Sequence, residues 1–361
     1  MIAQADRLAL IDAARQAVLS GAGLQAASGV APWIAQSWQR CLALGHQPQH
    51  RLGFDVVTAH SLRRSAEANR QLAAVAQPTL VQLGQAIAQT RYFAILTNAK
   101  GIVVDAAGHI DHGDRRADLI TRCGVDLSES AVGTTAIGTT LVEQRHTWLH
   151  RGEHFFQDTQ AYSCAGAPIT GINGQCMGML DVTGIDVPER PELVSLVAAS
   201  ARAIENALVL AQPHRLVVHL QWLGYSGKDN EGLLCLDSDG SVVAMNPLAR
   251  SILGHAAASG SALHASDLFA MQWERLFDNL HHSSSLQVNL WSGLTVGVRT
   301  SATGKLPPRG SAMTTGSAPL KTQETLLIRR TVEQHKGNVA AAARALGLSR
   351  ATIYRKLGVQ K

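Results

Sequence analysis

The sequence predicts an α+β multidomain protein in which antiparallel sheets with flanking helices precede an all-α C-terminal module. Three observations predict it. Apolar runs joined by glycine-containing turns recur at 92–108, 163–184 and 232–246, and hairpins of this kind interleaved with helices make antiparallel sheets rather than parallel βαβ units. Stretches at 34–45, 61–89 and 191–210 place apolar residues at three- and four-residue intervals, the helical period. Finally, two short helix patterns around a glycine close the chain.

Composition agrees. In 361 residues, 46% apolar and 16% charged describe folded material with room for two or more domains. The formal charge is +5, yet 321–361 holds nine Lys/Arg against Glu324 and Glu333, so the rest of the chain is slightly acidic. A basic tail on such a body points to a polyanion-binding module. Five scattered cysteines without CxxC spacing suggest neither a disulfide framework nor a zinc site. The N-terminal stretch lacks a leader-type apolar core, and no uninterrupted apolar run reaches membrane-spanning length. The expectation is a reducing, cytoplasmic location with no membrane partner.

Taken in order, residues 1–75 form an N-terminal helical region, and Pro78 is expected to interrupt or kink the helix pattern that follows. Residues 76–210 carry the hairpin YFAILTNAKGIVVDAAG, a second hairpin turning at Asn173-Gly174, and the amphipathic helix 191–210. Residues 215–298 hold GLLCLDSDGSVVAMN, turning at Asp239-Gly240, after which Asn246 caps a helix and Pro247 takes its first position. Residues 299–320, rich in Ser, Thr, Gly and Pro without apolar periodicity, read as a flexible linker to 321–361.

The ending GNVAAAARALGLSRATIYRKL has a helix-turn-helix grammar. Asn338 and Ser349 are N-caps, Gly347 suits the left-handed turn between helices, and alanines 340 to 343 allow close approach. With Leu346, Leu348, Ile353 and Leu357 inside, Arg350, Thr352, Tyr354, Arg355 and Lys356 stay outside on an element suited to a major groove. Arginine makes paired bonds to guanine edges, whereas lysine and hydroxyls mainly hold phosphates.

TQETLLIRRTVEQHKGNVAAAARALGLSRATIYRKL resembles the Fis-type helix-turn-helix that ends bacterial enhancer-binding regulators. That resemblance implies DNA contacts by Ser349, Arg350, Thr352, Tyr354, Arg355 and Lys356, with Asn338 as a backbone contact. Val339 and Ala340 stand where the family often has Thr-Arg. Upstream, IAQSWQRCLALG, LSESAVGTTAIGTTLVEQ, RGEHFFQDTQAYSCAGAPITGINGQCMGMLDVTG and EGLLCLDSDGSVVAMN resemble, in the same order, the sensory half of the acetoin- and glycerol-catabolism regulators. Within LSESAVGTTAIGTTLVEQ, Leu127 and Thr135 replace a Trp and an Asn usual in the family. The resemblance implies a GAF domain over 76–210 and a PAS-like domain over 215–298. Full-length relatives also carry an AAA+ ATPase. Here neither Gly227-Lys228 nor Gly304-Lys305 is followed by Ser or Thr, so no GxxxxGK[ST] phosphate loop exists, and the GAFTGA signature is missing.

If the implied sensor fold holds, the helix around Thr134 to Glu143 and the strands carrying His154, Phe155, Cys164 and Asp181 surround a ligand cavity. Cys164 with His154 and Glu153 also permits a thiol-nucleophile reading, but small neighbours in an apolar strand favour a packed core thiol, so no enzyme is expected. His109 and His112, beside Asp105 and Asp111, complete no metal spacing, and neither metal nor cofactor is expected. The expected partners are double-stranded DNA, a second copy paired through 60–90 and 191–210, a small-molecule effector and RNA polymerase. The alternative is a partner-protein sensor, or an antagonist of full-length relatives by mixed dimerisation or site competition.

Overall fold

A computed structural model of the chain describes residues 4–22, 27–53, 57–224, 231–254, 263–281, 285–302 and 339. It divides into two units, Met1–Gly304 and Lys305–Lys361. In the second unit the one described residue, Val339, is helical and half-buried; the expected cap, turn and DNA-contacting residues lie outside the described residues.

Four helices open the first unit: α1 (Gln4–Leu19), α2 (Pro32–Ala43), α3 (Ala59–Ala68) and α4 (Arg70–Ala86). Helix α2 starts on a proline, whose fixed φ and missing N–H cost nothing there, and buries Trp33, Ile34, Ser37, Trp38 and Cys41 on one face. Pro78 does not interrupt α4. It is exposed, and so is Ala74, whose carbonyl finds no helical N–H at Pro78, while Leu72, Ala76, Leu80 and Leu83 pin the other face.

The first sheet contains β1 (Tyr92–Asn98), β2 (Val103–Gly108), β3 (Thr147–His150), β4 (Tyr162–Thr170) and β5 (Cys176–Ile185). Its order is β2-β1-β5-β4-β3, antiparallel throughout. Gly174 has a φ of +80°, the conformation the Asn-Gly hairpin turn demands. Side chains divide with period two. Tyr92, Ala94, Leu96, Ala165, Ala167, Leu180 and Val182 pack against α4 and α8 (Leu193–Leu210). On the opposite face Phe93, Ile95, Cys164 and Met179 meet α2 and the short helices α5 (Arg115–Ile120), α6 (Glu129–Val132) and α7 (Ala136–Glu143). Helices α1 and α2 thus complete the core on this face of the first sheet.

Trp38 shows how tightly. It is 1% exposed, and its Nε1 donates to the Glu153 carbonyl at 2.9 Å. Trp38→Ala is expected to cost about 3–5 kcal/mol, from the lost ring and the cavity left behind. Urea unfolding followed by circular dichroism checks this.

The second sheet contains β6 (Leu216–Trp222), β7 (Gly232–Leu236), β8 (Val242–Met245), β9 (Leu286–Asn289) and β10 (Thr295–Ala302), in the antiparallel order β8-β7-β6-β10-β9. Helices α9 (Pro247–Leu253), α10 (Ala265–Leu268) and α11 (Glu274–Asp278) contribute to its core. Asn246 caps α9 by accepting from the Ala249 N–H at 2.8 Å, and its Oδ1 also accepts from the Leu233 N–H at 3.0 Å. One sequence boundary is corrected: residues 299–302, expected to begin the linker, finish β10 and pair with Leu216–His219 of β6. Their polar composition hid a strand whose ladder is anchored by Arg299, which donates to Glu231 Oε2 at 2.8 Å.

Candidate functional site

Beneath the first sheet lies a cavity of about 360 Å³, near the lower end of the roughly 300–1,000 Å³ usual for small-molecule pockets. Ile95, Leu119, Ile120, Leu127, Val132 and Ile137 supply its apolar wall. Its polar wall comes from neighbouring strands. Across the ladder Ile95 stands opposite Asp181 and Cys164 opposite Thr183, while Tyr162 lies two residues before Cys164 on the same face. Arg51, Arg115, Arg116 and Asp158 are its solvent-exposed lining residues.

Hydrogen bonds connect the polar wall. Thr183 Oγ1 contacts Asp181 Oδ2 and lies 3.2 Å from Cys164 Sγ, which is 3.5 Å from His154 Nε2. His154 Nδ1 sits 3.0 Å from the Arg151 carbonyl. A carbonyl only accepts, so Nδ1 carries the proton and Nε2 is left to accept from the thiol. Burial drives all three ionisable groups toward neutrality. It pushes the Asp181 carboxyl up to about 7 despite the Thr183 hydroxyl, and drops His154 to about 4. Cys164 rises well above its ordinary range, through burial and then through Asp181. The pair imagined as nucleophile and base is therefore in contact, but as a protonated thiol on a neutral imidazole, the opposite of an activated thiolate.

Of the six residues proposed for this cavity, His154, Cys164 and Asp181 line it. The others do not. Thr134 and Glu143 lie on the α6–α7 segment but turn toward α2: Ser37 Oγ is 2.7 Å from Thr134 Oγ1, and Arg40 Nη1 is 2.9 Å from Glu143 Oε1. Buried Glu129 joins them, accepting from Ser37 at 2.6 Å and from Arg40 at 2.6 and 3.0 Å. Phe155 is a core residue stacked edge-on against Phe156. His154 and Phe155 are not on a strand; they follow a 3₁₀ turn at Arg151–Glu153, where buried Arg15 donates to the carbonyls of Gly152, His154 and Phe155. Sequence reasoning missed Thr183 and Tyr162. Thr183 carried a signal, because two polar residues at i and i+2 in an apolar strand share one buried face.

His109 and His112 fall in the connection after β2, where exposed His112 pairs with Asp118 at 3.2 Å. Among the described residues no cluster of three or more His, Cys, Asp or Glu could hold a metal ion.

A sheet domain with a small cavity, joined in one chain to a basic C-terminal helix pattern, is the layout of a sensory regulator. Residues 9–206 match the family described as the N-terminal domain of MimR, and 319–358 match the Fis family of bacterial regulatory proteins. The chain belongs to the MimR N-terminal-domain family, and its C-terminal region is of the Fis type. Among curated relatives, the acetoin catabolism regulatory protein of Cupriavidus necator is 29% identical over 259 residues, covering 68% of this chain and 37% of that protein. The propane 2-monooxygenase operon transcriptional activator MimR of Mycolicibacterium goodii is 26% identical over 303 residues, covering 83% of this chain and 50% of that protein. The chain thus spans half or less of the length of these relatives. A solved structure, the E. coli DhaR(N)–DhaL complex, is similar at 13% identity with a TM-score of 0.47, over 74% of this chain and 98% of that one.

Proposed function

We propose that this protein is a sequence-specific, DNA-binding transcription regulator whose first sheet domain, read as a GAF sensor, receives a small metabolite. The second sheet domain is read as PAS-like, and residues 321–361 as the DNA-binding module. The observation that carries the reading is the coexistence in one chain of the cavity and the Fis-type region. The DNA contacts are assigned to Asn338, Ser349, Arg350, Thr352, Tyr354, Arg355 and Lys356. A single helix-turn-helix makes few base contacts, so the active species is a dimer presenting two. Residues 60–90 and helix α8, whose mean hydropathy is 1.6, are the proposed pairing elements. By the same measure α8 is long and apolar enough to cross a membrane, but its packing against the first sheet marks it as a core helix.

Because the sequence between sensor and Fis-type region holds no phosphate loop, the regulator acts by equilibrium binding, through contact with polymerase or occlusion of it. Transcription in vitro with purified components tests this. The expected result is an effect on the housekeeping polymerase and no ATP hydrolysis by the purified protein. Intrinsic ATPase activity, or strict dependence on the alternative sigma factor, would contradict it.

A further inference from the structure

Asp181 is a fully buried carboxyl in an apolar strand, and only half of it is accounted for. Oδ2 contacts Thr183; Oδ1 is buried without any hydrogen-bond partner. Orphaned buried acceptors are rare and call for an explanation. We propose that Asp181 is the recognition residue of the cavity, and that its Oδ1 accepts a hydrogen bond from the hydroxyl of a small, uncharged guest.

The direction of the bond follows from the wall itself. His154 Nε2 takes the thiol proton, Cys164 Sγ can accept from Thr183, and Thr183 Oγ1 can accept from a proton on Asp181 Oδ2. With the carboxyl neutral, this chain satisfies each donor in turn and leaves Oδ1 as a carbonyl-type acceptor. With the carboxyl ionised, Thr183 turns its proton to Oδ2, and Oδ1 is again an acceptor. In both arrangements the guest donates; a neutral carboxyl with its proton on Oδ1 and Thr183 donating to Oδ2 would instead take an accepting guest, and an ether that binds as well as the alcohol is its sign.

Charge narrows the class. An ionised carboxylate guest has no proton to donate to Oδ1, and it sets like charge against Asp181 whenever that group ionises. An ammonium guest would pass exposed Arg51, Arg115 and Arg116 and then lose its hydration among Ile95, Leu127, Val132 and Ile137. A neutral hydroxyl on a compact apolar body meets neither penalty. Other groups facing the site do not compete for the role. Tyr162 Oη lies 3.4 Å from the Arg116 carbonyl, Asp158 accepts from the Leu52 N–H at 3.0 Å, and Thr135 accepts from the Gly138 N–H at 3.1 Å.

This inference rests on the cavity being the sensor site, and the test separates the two. Cyclohexanol, its methyl ether, cyclohexanecarboxylate and cyclohexylamine are titrated against the full chain by ligand-detected NMR, with Ile137→Trp, which fills the cavity, as the control for location. Cyclohexanol is expected to bind about tenfold or more tightly than the ether, the effect of one hydrogen bond to a buried acceptor. Asp181→Asn keeps an acceptor and the preference; Asp181→Leu removes both, so alcohol and ether bind alike. If the ether matches the alcohol in the wild-type protein, or the preference survives Asp181→Leu, the anchor is wrong although the cavity still binds. If no probe binds, or Ile137→Trp changes nothing, the cavity reading fails and the anchor with it. Should Asp181→Leu not fold, the wild-type and Asp181→Asn ratios still decide.

Discussion

Asp181→Asn is expected to stabilise the protein at about pH 8 by on the order of 4 kcal/mol, because it replaces a buried carboxylate with a neutral group of the same shape. Folding raises this carboxyl from 3.8 to about 7. Its contribution to stability is therefore full below pH 3.8 and is lost as pH rises through about 7, where the buried group must ionise. His154 works in the other sense. Its value falls from 6.5 to about 4 on folding, so its contribution is full above pH 6.5 and is lost as pH drops through about 4. Between these limits the two slopes oppose each other, and the sum of these two contributions is nearly flat. Asp181→Asn unmasks the histidine: the variant should lose about 3 kcal/mol relative to wild type between about pH 6.5 and 4. His154→Gln unmasks the carboxyl, with relative stability now falling as pH rises. Burial also raises Glu153 and Glu205, but their contributions cancel in the difference between variant and wild type. Urea melts across this range check both slopes, and parallel profiles for all three proteins would contradict the account.

The second large effect concerns DNA. On the proposed assignment of Arg350 and Arg355 to base reading, Arg350→Ala and Arg355→Ala are each expected to cost about 1–3 kcal/mol of specific binding, the worth of one bidentate base contact. The double variant therefore falls close to non-specific affinity. Lys356→Ala should instead weaken all sequences alike and flatten the salt dependence by one phosphate contact. Fluorescence anisotropy on matched specific and random duplexes separates these outcomes. An unchanged ratio of specific to random affinity in the double variant would remove both arginines from base reading.

What the sequence disclosed about this fold was mostly local. Hairpin turns at Asn173-Gly174 and Asp239-Gly240 and the cap at Asn246 follow from neighbouring residues, and the structure has them. What it hid was the direction in which a buried residue points. The α6–α7 segment is covered on both sides, by the cavity at Val132, Thr135 and Ile137 and by α2 at Glu129, Thr134 and Glu143. Helical periodicity marks such residues as buried but not by what, so Thr134 and Glu143 looked like cavity residues when they hold α2. The same limit concealed the end of β10: Arg299 to Ala302 have no apolar pattern of their own and owe their strand to the ladder with β6. Asp181 was legible for a physical reason. An acid in the run CMGMLDVTGI cannot reach water from a central strand and must have a purpose there.

That this is a sequence-specific DNA-binding regulator is tested most directly by selection of random duplexes on the full-length protein, followed by sequencing of the retained pool. The account predicts enrichment of one motif with two related half-sites about one helical turn apart, and its loss with the Arg350/Arg355 double alanine variant. A retained pool indistinguishable from the input, or the same motif enriched by the double variant, would contradict it.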